Sequence, residues 1–393
     1  MIAIMLLPIY ILLNAFMYIS LCHWLDSCGH FFKYKITKKI LLVLQFFLSS
    51  CLLIAFLLPS GNIRRIFQFI GNYWLGIMIY SLMVNVFLVA LWFILWKIKR
   101  FKNKKIDKQK LHFIFGIIGL LITLIISTYG IVNSRIIHNT EYDVIINKEA
   151  KNLDSLKLVM VADLHLGYNI NASHIKNMTQ KINSQNPDIV IFAGDIFDNE
   201  FDAIYNPDEI SELFKSIDSK YGVYAVYGNH DVNEKILAGF TFAQENKTSD
   251  SRMDKLLFDS NIKLLDDEFV LIDDSFYIYG RPDYSKSTKT RKMPNDIVSN
   301  LDKSKPIIVV DHQPRELEEL AKSGVDLDLS GHTHDGQIFP INLLVNFYFK
   351  NKYGIKEFGD MTSIVTSGVG VYGPNMRVGT IAEITTINLK FNK

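Results

Sequence analysis

Five short clusters of carboxylate, amide and imidazole side chains occur in the second half of the chain, and each follows a short apolar run. The clusters are Asp163-Leu-His165, Gly194-Asp195-Ile-Phe-Asp198, Gly228-Asn229-His230-Asp231, Asp311-His312-Gln313-Pro314 and Gly331-His332-Thr-His334. Of the six histidines after residue 139, five lie in these clusters and only His174 lies outside them. Carboxylate oxygen and imidazole nitrogen are ligands that bind divalent metals in proteins. The recurrence of these side chains therefore predicts a metal site.

The spacing within two of the clusters favours ligation at a common point. Side chains two positions apart on an extended chain point to the same side, so Asp163 pairs with His165, and His332 pairs with His334. Two such pairs and a shared carboxylate would make a cage for two metal ions. Glycines at positions 194, 228 and 331 would let the backbone turn sharply and approach the site closely.

Some members of the clusters also have simpler interpretations. Asp195 alone could be a helix N-cap, and Asn229 alone could be a turn residue. Asp231 fits a local cap or turn better than a metal ligand, and Asp335 fits a residue that tolerates a turn. The position of all five clusters after apolar runs favours one shared site over these separate interpretations.

The elements that must position the clusters can be predicted from the apolar runs themselves. These runs predict buried strands at 156–162, 189–193, 223–227, 276–279, 307–310 and 327–329. Helical patterns at 172–184 and 207–219 lie between them, and Pro207 suits a first helical turn. This alternation predicts an α/β domain with mainly parallel strands, in which ligands bind at the carboxyl ends of the strands.

The first 138 residues have a different character. The chain has 393 residues, of which 49% are hydrophobic. Four nearly uncharged stretches, at 2–25, 40–58, 73–96 and 111–132, have about the 20 residues that a helix needs to cross a bilayer. We predict a transmembrane region with four helices in residues 1–138 and a catalytic domain in residues 139–393. The alternative is a cleaved signal peptide followed by buried core helices, but the first stretch lacks a basic segment and a cleavage site.

Loop charges predict the orientation of this membrane region. Lysines 33, 35, 38 and 39 follow the first stretch and eight basic residues lie within 97–110, whereas only Arg64 and Arg65 follow the second stretch. The positive-inside rule makes the first and third loops cytoplasmic. We therefore expect a multi-pass protein of the cell membrane whose catalytic domain, after about Asn133, is extracytoplasmic.

The charge balance also limits the partners. Residues 1–138 contain 15 Lys and Arg against 2 Asp and Glu, and residues 139–393 contain 27 against 38. An acidic domain lacks the basic surface that a phosphate backbone requires, so no nucleic-acid partner is expected. Topology and anionic lipid headgroups explain the basic run at 97–110 better.

Taken in order, D-x-H, G-D-x-x-D, G-N-H-D, a single H and G-H-x-H resemble the motifs of the calcineurin-like metallophosphoesterase superfamily. Gly280-Arg281, the segment SGHTHDGQIFP at 330–340 and Ser367-Gly-Val-Gly370 with Gly373 and Arg377 are similar to its bacterial membrane-associated branch. The resemblance covers about residues 155–390 and not the four apolar stretches. It implies a four-layer α/β/β/α metallophosphoesterase sandwich after the N-terminal four-helix transmembrane region.

The same resemblance implies a metal-dependent phosphoric ester hydrolase with two divalent ions. Its ligands would be Asp163, His165, Asp195 and His334 for the first ion, and Asp195, Asn229, His312 and His332 for the second. His230 would face the scissile phosphate, and Asp198 would orient its imidazole. Arg281 and Arg377 could hold a phosphate or an anionic headgroup, or could form structural salt bridges instead. A ligand set of nitrogen and oxygen without sulfur suits Mn, Fe or Zn.

Such a site would hydrolyse phosphate mono- or diesters by attack of a metal-bridging hydroxide. Membrane anchoring favours a lipid or cell-envelope phosphoester as substrate. The alternatives are a hydrolase of soluble nucleotides or cyclic nucleotides, and a non-catalytic membrane receptor. Asn199-Glu200 stands where Ser/Thr protein phosphatases have Arg-Gly, which argues against protein substrates. Specificity is expected in the loops 244–253 and 284–293.

Overall fold

The computed structural model describes residues 2–29, 34–97, 108–234, 236–237, 240–241, 248–286 and 291–392. The chain forms two compact units. The first comprises residues 1–132, 236–242 and 373–376, and the second comprises residues 133–235, 243–372 and 377–393. The units divide after Val132, ahead of the domain boundary predicted after residue 138.

The first unit contains four helices that are long and apolar enough to cross a bilayer, as the sequence predicts. They are α1 (Ile2–Leu25), α2 (Lys35–Leu57), α3 (Asn62–Lys97) and α4 (Lys108–Asn133). Large apolar side chains such as Phe46 and Phe87 are exposed on these helices. Such surfaces suit contact with lipid and not with water.

Helix α3 begins earlier than the sequence predicts. It spans 36 residues from Asn62, whereas the apolar stretch starts at position 73. Arg64 and Arg65 therefore lie in its first turn and not in a loop, because arginine interrupts the apolar pattern without disfavouring a helix. At 1.5 Å per residue the helix is about 54 Å long, more than a bilayer core of about 30 Å requires. Lys33 and positions 98–107, on which the predicted orientation partly rests, lie outside the described residues.

The second unit is built on two six-stranded sheets. In chain order, the strands of the protein are β1 (Ile137–Ile146), β2 (Ser155–Val161), β3 (Ile189–Ala193), β4 (Val223–Val226), β5 (Ile236–Leu237), β6 (Phe240–Thr241), β7 (Ile262–Leu264), β8 (Glu268–Ile272), β9 (Phe276–Gly280), β10 (Ile307–Val310), β11 (Leu327–Ser330), β12 (Gly354–Phe358), β13 (Met361–Val365) and β14 (Ala382–Phe391). One sheet has the order β1-β14-β2-β3-β4-β7, and the other has the order β12-β13-β11-β10-β9-β8. The short strands β5 and β6 pair with each other and belong to the first unit.

Helices cover the outer face of each sheet. The helices after α4 are α5 (Ala172–Asn183), α6 (Pro207–Lys215), α7 (Ser251–Asp259), α8 (Pro294–Ile297), α9 (Leu317–Ser323) and α10 (Ile341–Leu344). Helices α5, α6 and α7 pack on the first sheet, and helices α8 and α9 pack on the second.

The alternation of side chains along the inner strands explains this layering. In β3, Ile189 and Ile191 point into the core between the two sheets, whereas Val190 and Phe192 point into the core under α5, α6 and α7. A third core lies between the second sheet and helices α8 and α9. Three cores separate four layers, which confirms the α/β/β/α sandwich.

Candidate metal centre

Each of the five clusters follows a strand that is parallel to at least one of its neighbours. Strands β2, β3 and β4 are parallel in the first sheet, and β10 and β11 are parallel in the second. The carboxyl ends of parallel strands meet at one edge of a sheet, which is the usual place for a ligand site in α/β proteins. The sandwich brings the clusters at the ends of both sheets into contact.

The backbone at the site is left-handed and not extended. The φ values are 55° at Asp163, 49° at His165, 49° at Asp195, 71° at His332 and 50° at His334. Residues other than glycine seldom adopt this conformation, so the surrounding structure must hold it. The Asp163 amide donates to the Gly194 carbonyl and the His165 amide donates to the Asp195 carbonyl, each at 3.0 Å. The extended-chain geometry that we assumed from the spacing is therefore wrong.

The first group of potential ligands contains Asp163, His165 and His334, whose ligand atoms lie within 4.8 Å of one another. The Nε2 atoms of the two imidazoles are 3.0 Å apart, and His334 Nε2 lies 3.6 Å from Asp163 Oδ1. All three side chains are buried. Burial raises the pKa of Asp163 to about 6.

The second group contains Asp195, His312 and His332. His312 Nε2 lies 3.1 Å from Asp195 Oδ2 and 3.2 Å from His332 Nδ1. His332 and His334 thus belong to different groups, although their spacing suggested that they aim at one point. The left-handed backbone between the strand and the loop separates them.

Asp195 lies between the two groups. Its Oδ2 is 3.1 Å from His312 Nε2 in the second group and 3.8 Å from His165 Nε2 in the first. Burial alone would raise the pKa of Asp195, but the neighbouring imidazoles, led by His312, hold it well below its ordinary value. Gly228 permits this arrangement, because a Cβ atom there would lie 2.2 Å from Asp195 Oδ1.

The hydrogen-bonding pattern at His312 fits a metal cation. His312 Nδ1 lies 2.9 Å from the Ala193 carbonyl, which can only accept, so Nδ1 carries a proton. In the neutral ring, Nε2 is then unprotonated, and its lone pair faces the Asp195 carboxylate. A lone pair and a carboxylate repel each other unless a positive charge lies between them. Burial would lower the pKa of His312, but Asp195 raises it well above its ordinary value. A metal ion can supply that charge in place of a proton.

The Asn229 side chain carries a further candidate ligand oxygen. Its Oδ1 is buried and has no hydrogen-bond partner among the described residues. Both chain neighbours of Asn229, Gly228 and His230, contact Asp195. Gly228 leaves no room for a Cβ beside that carboxylate, and the His230 amide donates to Asp195 Oδ1 at 2.7 Å. A buried oxygen without a donor is the kind of group that a cation satisfies.

His230 stands beside the first group. Its ring lies edge-on to His165, with ring centroids 5.0 Å apart. Its Nδ1 is hydrogen-bonded to Asn199 Oδ1. Burial lowers the pKa of His230 to about 4.

The prediction that Asp198 orients His230 needs a correction. Asp198 Oδ1 lies 3.7 Å from Nδ1 of both His165 and His230, which is beyond hydrogen-bond distance. Asn199 Nδ2 donates to the Val232 carbonyl at 3.1 Å, so Asn199 Oδ1 is the atom that faces His230. In the sequence, we named Asn199 only as a departure from the Ser/Thr protein phosphatases and gave it no role at His230.

Arg281 and Arg377 do not line an open site, contrary to the substrate role considered for them. Both side chains have 0% exposed surface. Arg281 pairs with Asp311 at 3.2 Å and with Glu316 at 2.8 Å. Arg377 donates to backbone carbonyls, namely those of Ser367, Gly368, Gly370 and Ile381. Arg281 is paired with two carboxylates, although its Nε has no partner, and Arg377 is held by backbone carbonyls, so the structural interpretation applies to both.

Asp231 and Asp335 have local structural roles, as the sequence suggested. Asp231 accepts from the amides of Phe197 at 2.8 Å and Gly228 at 2.6 Å, and burial raises the pKa of Asp231 to about 8. Asp335 has a φ of 48° and pairs with Lys352 at 2.7 Å.

Tyr372 was not singled out in the sequence, yet its ring lies against two of the imidazoles. The ring centroids are 4.7 Å from His230 and 5.5 Å from His165. The Gln337 side chain holds both backbone polar groups of Tyr372, because Oε1 accepts from its amide and Nε2 donates to its carbonyl, each at 2.8 Å. Neither residue type is distinctive in a sequence.

Comparisons with known proteins agree with this architecture. The family described as calcineurin-like phosphoesterase matches residues 156–336. The chain is 30% identical over 299 residues to an uncharacterized metallophosphoesterase of Campylobacter jejuni, which covers 74% of each chain. It is 27% identical over 289 residues to a transmembrane protein with metallophosphoesterase domain of Danio rerio, covering 70% of this chain and 62% of that protein.

A third relative has a named activity. The chain is 24% identical over 226 residues to the UDP-2,3-diacylglucosamine pyrophosphatase LpxG of Chlamydia trachomatis, covering 49% of this chain and 67% of that protein. The match to the Campylobacter protein extends over most of both chains. This chain therefore belongs to the calcineurin-like metallophosphoesterases, a family of metal-dependent phosphoester hydrolases, and its apolar helices make it a membrane-associated member.

Proposed function

We propose that this chain is a membrane-anchored hydrolase of phosphate mono- or diesters that works with two divalent ions. The observation that carries the proposal is the position of Asp195, whose Oδ2 lies near both groups of potential ligands. In the proposed arrangement, the ligands are Asp163, His165, Asp195 and His334 for one ion, and Asp195, Asn229, His312 and His332 for the other. Mn, Fe or Zn suits this set of nitrogen and oxygen ligands.

The ions would lower the pKa of a bound water molecule and would neutralise charge on the phosphate oxygens. The chain's own residues would orient the reacting groups. His230 Nδ1 is committed to Asn199, so Nε2 is the atom at which the ring would hold a proton for the leaving oxygen. Gln337 keeps Tyr372 against the His230 ring and so limits the positions that the ring can take.

The proposed substrate is a lipid or cell-envelope phosphoester. Four apolar helices suit a chain that works on a bilayer-bound substrate, and LpxG is named for a diacylated sugar nucleotide. A run of exposed apolar side chains also follows the site in the sequence: Phe339, Ile341, Leu343, Leu344, Phe347 and Tyr348. Phe347 is 82% exposed and Tyr348 is 72% exposed. Exposed apolar side chains of this kind favour contact with acyl chains.

The side of the membrane is also a proposal. The basic residues that follow the first and third apolar stretches support a cytoplasmic position for both loops. The catalytic domain would then be extracytoplasmic, where cell-envelope precursors are accessible.

A substrate panel tests the proposed function. The purified full-length chain in detergent, with added Mn²⁺, would be given a phospholipid, a lipid pyrophosphate, a nucleotide and a cyclic nucleotide. We expect hydrolysis of lipid substrates, and we expect a chelator to abolish it. Hydrolysis of the nucleotides alone would favour the soluble-nucleotide alternative. Tight metal binding without hydrolysis of any phosphoester would contradict the proposed function.

A further inference from the structure

A single aromatic ring, that of Phe349, contacts both Arg315 and a member of the second group of potential metal ligands. Its Cζ is 4.5 Å from the centroid of the Phe349 ring, and the centroid of that ring is 5.6 Å from the His332 ring. Tyr284 flanks the same guanidinium at 5.7 Å. Two aromatic rings thus hold a cation beside the site.

The guanidinium of Arg315 has N–H donors that are not used in close hydrogen bonds with the described residues. Its Nε is buried without a hydrogen-bond partner, and its Nη1 makes only a 3.5 Å contact with the Tyr348 carbonyl. Across the parts of the chain that the structure describes, no carboxylate lies within ion-pair distance of it. A charge of this kind, beside a site for phosphoesters, calls for an anionic ligand.

Neighbouring arginines differ from Arg315 in their charged partners and not in Nε, which is also without a hydrogen-bond partner in Arg281 and Arg291. Arg281 and Arg291 share the carboxylates of Asp311 and Glu316. Arg377 is enclosed by backbone carbonyls. Carboxylates thus match the charges of Arg281 and Arg291, and backbone carbonyls occupy the N–H donors of Arg377.

We propose that Arg315 binds a second phosphate group of the substrate, so that the preferred substrates are pyrophosphates. This inference rests on the proposed function, because it takes the scissile phosphate to lie at the two ligand groups. A guanidinium binds phosphate oxygens through paired N–H donors, and flanking aromatic rings limit its rotation. Arg315 is half-buried and Tyr284 is 52% exposed, so a substrate can approach the guanidinium from solvent.

Matched pairs of substrates test the proposal. Wild-type and Arg315→Gln full-length chains, in detergent with Mn²⁺, would be compared on farnesyl pyrophosphate against farnesyl phosphate, and on ADP against AMP. We expect Arg315→Gln to raise KM for the pyrophosphates by about 10-fold or more relative to the monophosphates, because a charge-assisted contact is lost. A larger KM in the variant for farnesyl pyrophosphate relative to farnesyl phosphate would identify a lipid pyrophosphate as the substrate. A larger KM in the variant for ADP relative to AMP would identify a nucleotide as the substrate. An equal change for all four substrates, or no change, would overturn the proposal.

Lys220→Gln is the matched control. Lys220 also places its cation over an aromatic ring, that of Tyr221 at 4.6 Å, but it is exposed and precedes strand β4, whereas the site follows the carboxyl end of that strand. We expect this variant to keep the KM of every substrate, and circular dichroism would establish that both variants fold.

A binding measurement separates this inference from the proposed function. Calorimetry would follow binding of imidodiphosphate, a non-hydrolysable pyrophosphate analogue, to the metal-free protein. We expect binding to Arg315→Gln to be about 10-fold weaker than to the wild type, and equal binding would overturn the proposal. If the wild type hydrolyses none of the four substrates while this difference persists, the proposed function fails and the Arg315 site stands.

Discussion

His230 has a neutral amide as its hydrogen-bond partner, and that partner decides how the ring is held. Asn199 Oδ1 fixes the Nδ1 proton without adding a negative charge next to the ring. A carboxylate in the same place would stabilise the imidazolium form more strongly. The imidazole is therefore oriented by an amide that the sequence does not mark as functional.

Replacing Asn199 with alanine should slow turnover by about 10- to 100-fold, because a supporting hydrogen bond to a catalytic side chain is lost. We expect KM and metal content to change little. Steady-state kinetics and elemental analysis of the purified variant would measure all three. Asp198→Asn is the comparison variant, and a larger loss of kcat in Asp198→Asn than in Asn199→Ala would return the orienting role to Asp198.

Replacing Asp195 with asparagine should reduce metal content and activity together. The substitution keeps the shape of the side chain but removes the charge that the two ligand groups share. Mass spectrometry of the bound metals and a phosphoester assay would follow the two quantities. Asp274→Asn is the control, since Asp274 is a surface carboxylate that pairs with Lys151 and Lys305. Two tightly bound metals with full turnover in Asp195→Asn would refute the shared site.

Much of the candidate site could be predicted from residue types alone. Carboxylates and imidazoles are costly to bury directly after apolar runs unless something binds them, and the structure places six of the seven predicted ligands in two groups of three. Residues that act through packing could not be found in this way. Arg377 resembles a phosphate-binding residue in the sequence, and only its 0% exposure reveals that it supports the fold. Gln337 and Asn199 are common polar residues whose partners are distant in the chain.

At the scale of elements, fully apolar strands were predictable, whereas several strands of mixed composition were missed. Strands β3 and β10 match the predicted bounds, because every residue in them is buried and apolar. Strand β14 was missed because its buried face includes polar side chains. Glu383 in β14 accepts hydrogen bonds from Tyr353, Thr366 and Ser367, and these partners are known only after folding.

Helix α5 leads to a prediction about pH. His174 in α5 is buried with Nε2 2.9 Å from the Val369 carbonyl, and burial lowers the pKa of His174 to about 4. The unfolded chain takes up a proton at this residue below about pH 6.5, whereas the folded protein stays neutral there. The free energy of unfolding should therefore fall as the pH decreases from about 6.5 to 4, by an amount on the order of 3 kcal/mol.

Chemical denaturation of wild type and His174→Gln in detergent, across this pH range, measures the contribution. The glutamine keeps a donor for the Val369 carbonyl but does not titrate. We expect the wild type to lose stability relative to the variant only below about pH 6.5. A difference between the two proteins that is independent of pH would contradict the assignment to His174.

At the scale of the whole molecule, the predicted topology can be tested directly. Protease added to intact cells or spheroplasts should cleave the chain after about Asn133, whereas a tag inserted within 97–110 should stay protected. Permeabilised cells, in which both sites should be cleaved, provide the control. The reverse pattern would place the catalytic domain in the cytoplasm and would remove the argument for an envelope substrate.

The position of β14 between β1 and β2 has a consequence for biosynthesis. Strands β1 and β14 pair in parallel from Ile137 with Ala382 to Ile146 with Phe391, and Asn147 and Asn392, just beyond them, are 245 residues apart. At about 5 to 20 residues per second, a ribosome needs roughly 10 to 50 s to reach β14 after it has made β1. During that time β1 and β2 each keep an open edge, and such edges can pair with other chains. A ribosome that stalls before β14 would therefore leave inserted helices attached to an unfinished sheet, which is a substrate for quality-control proteases.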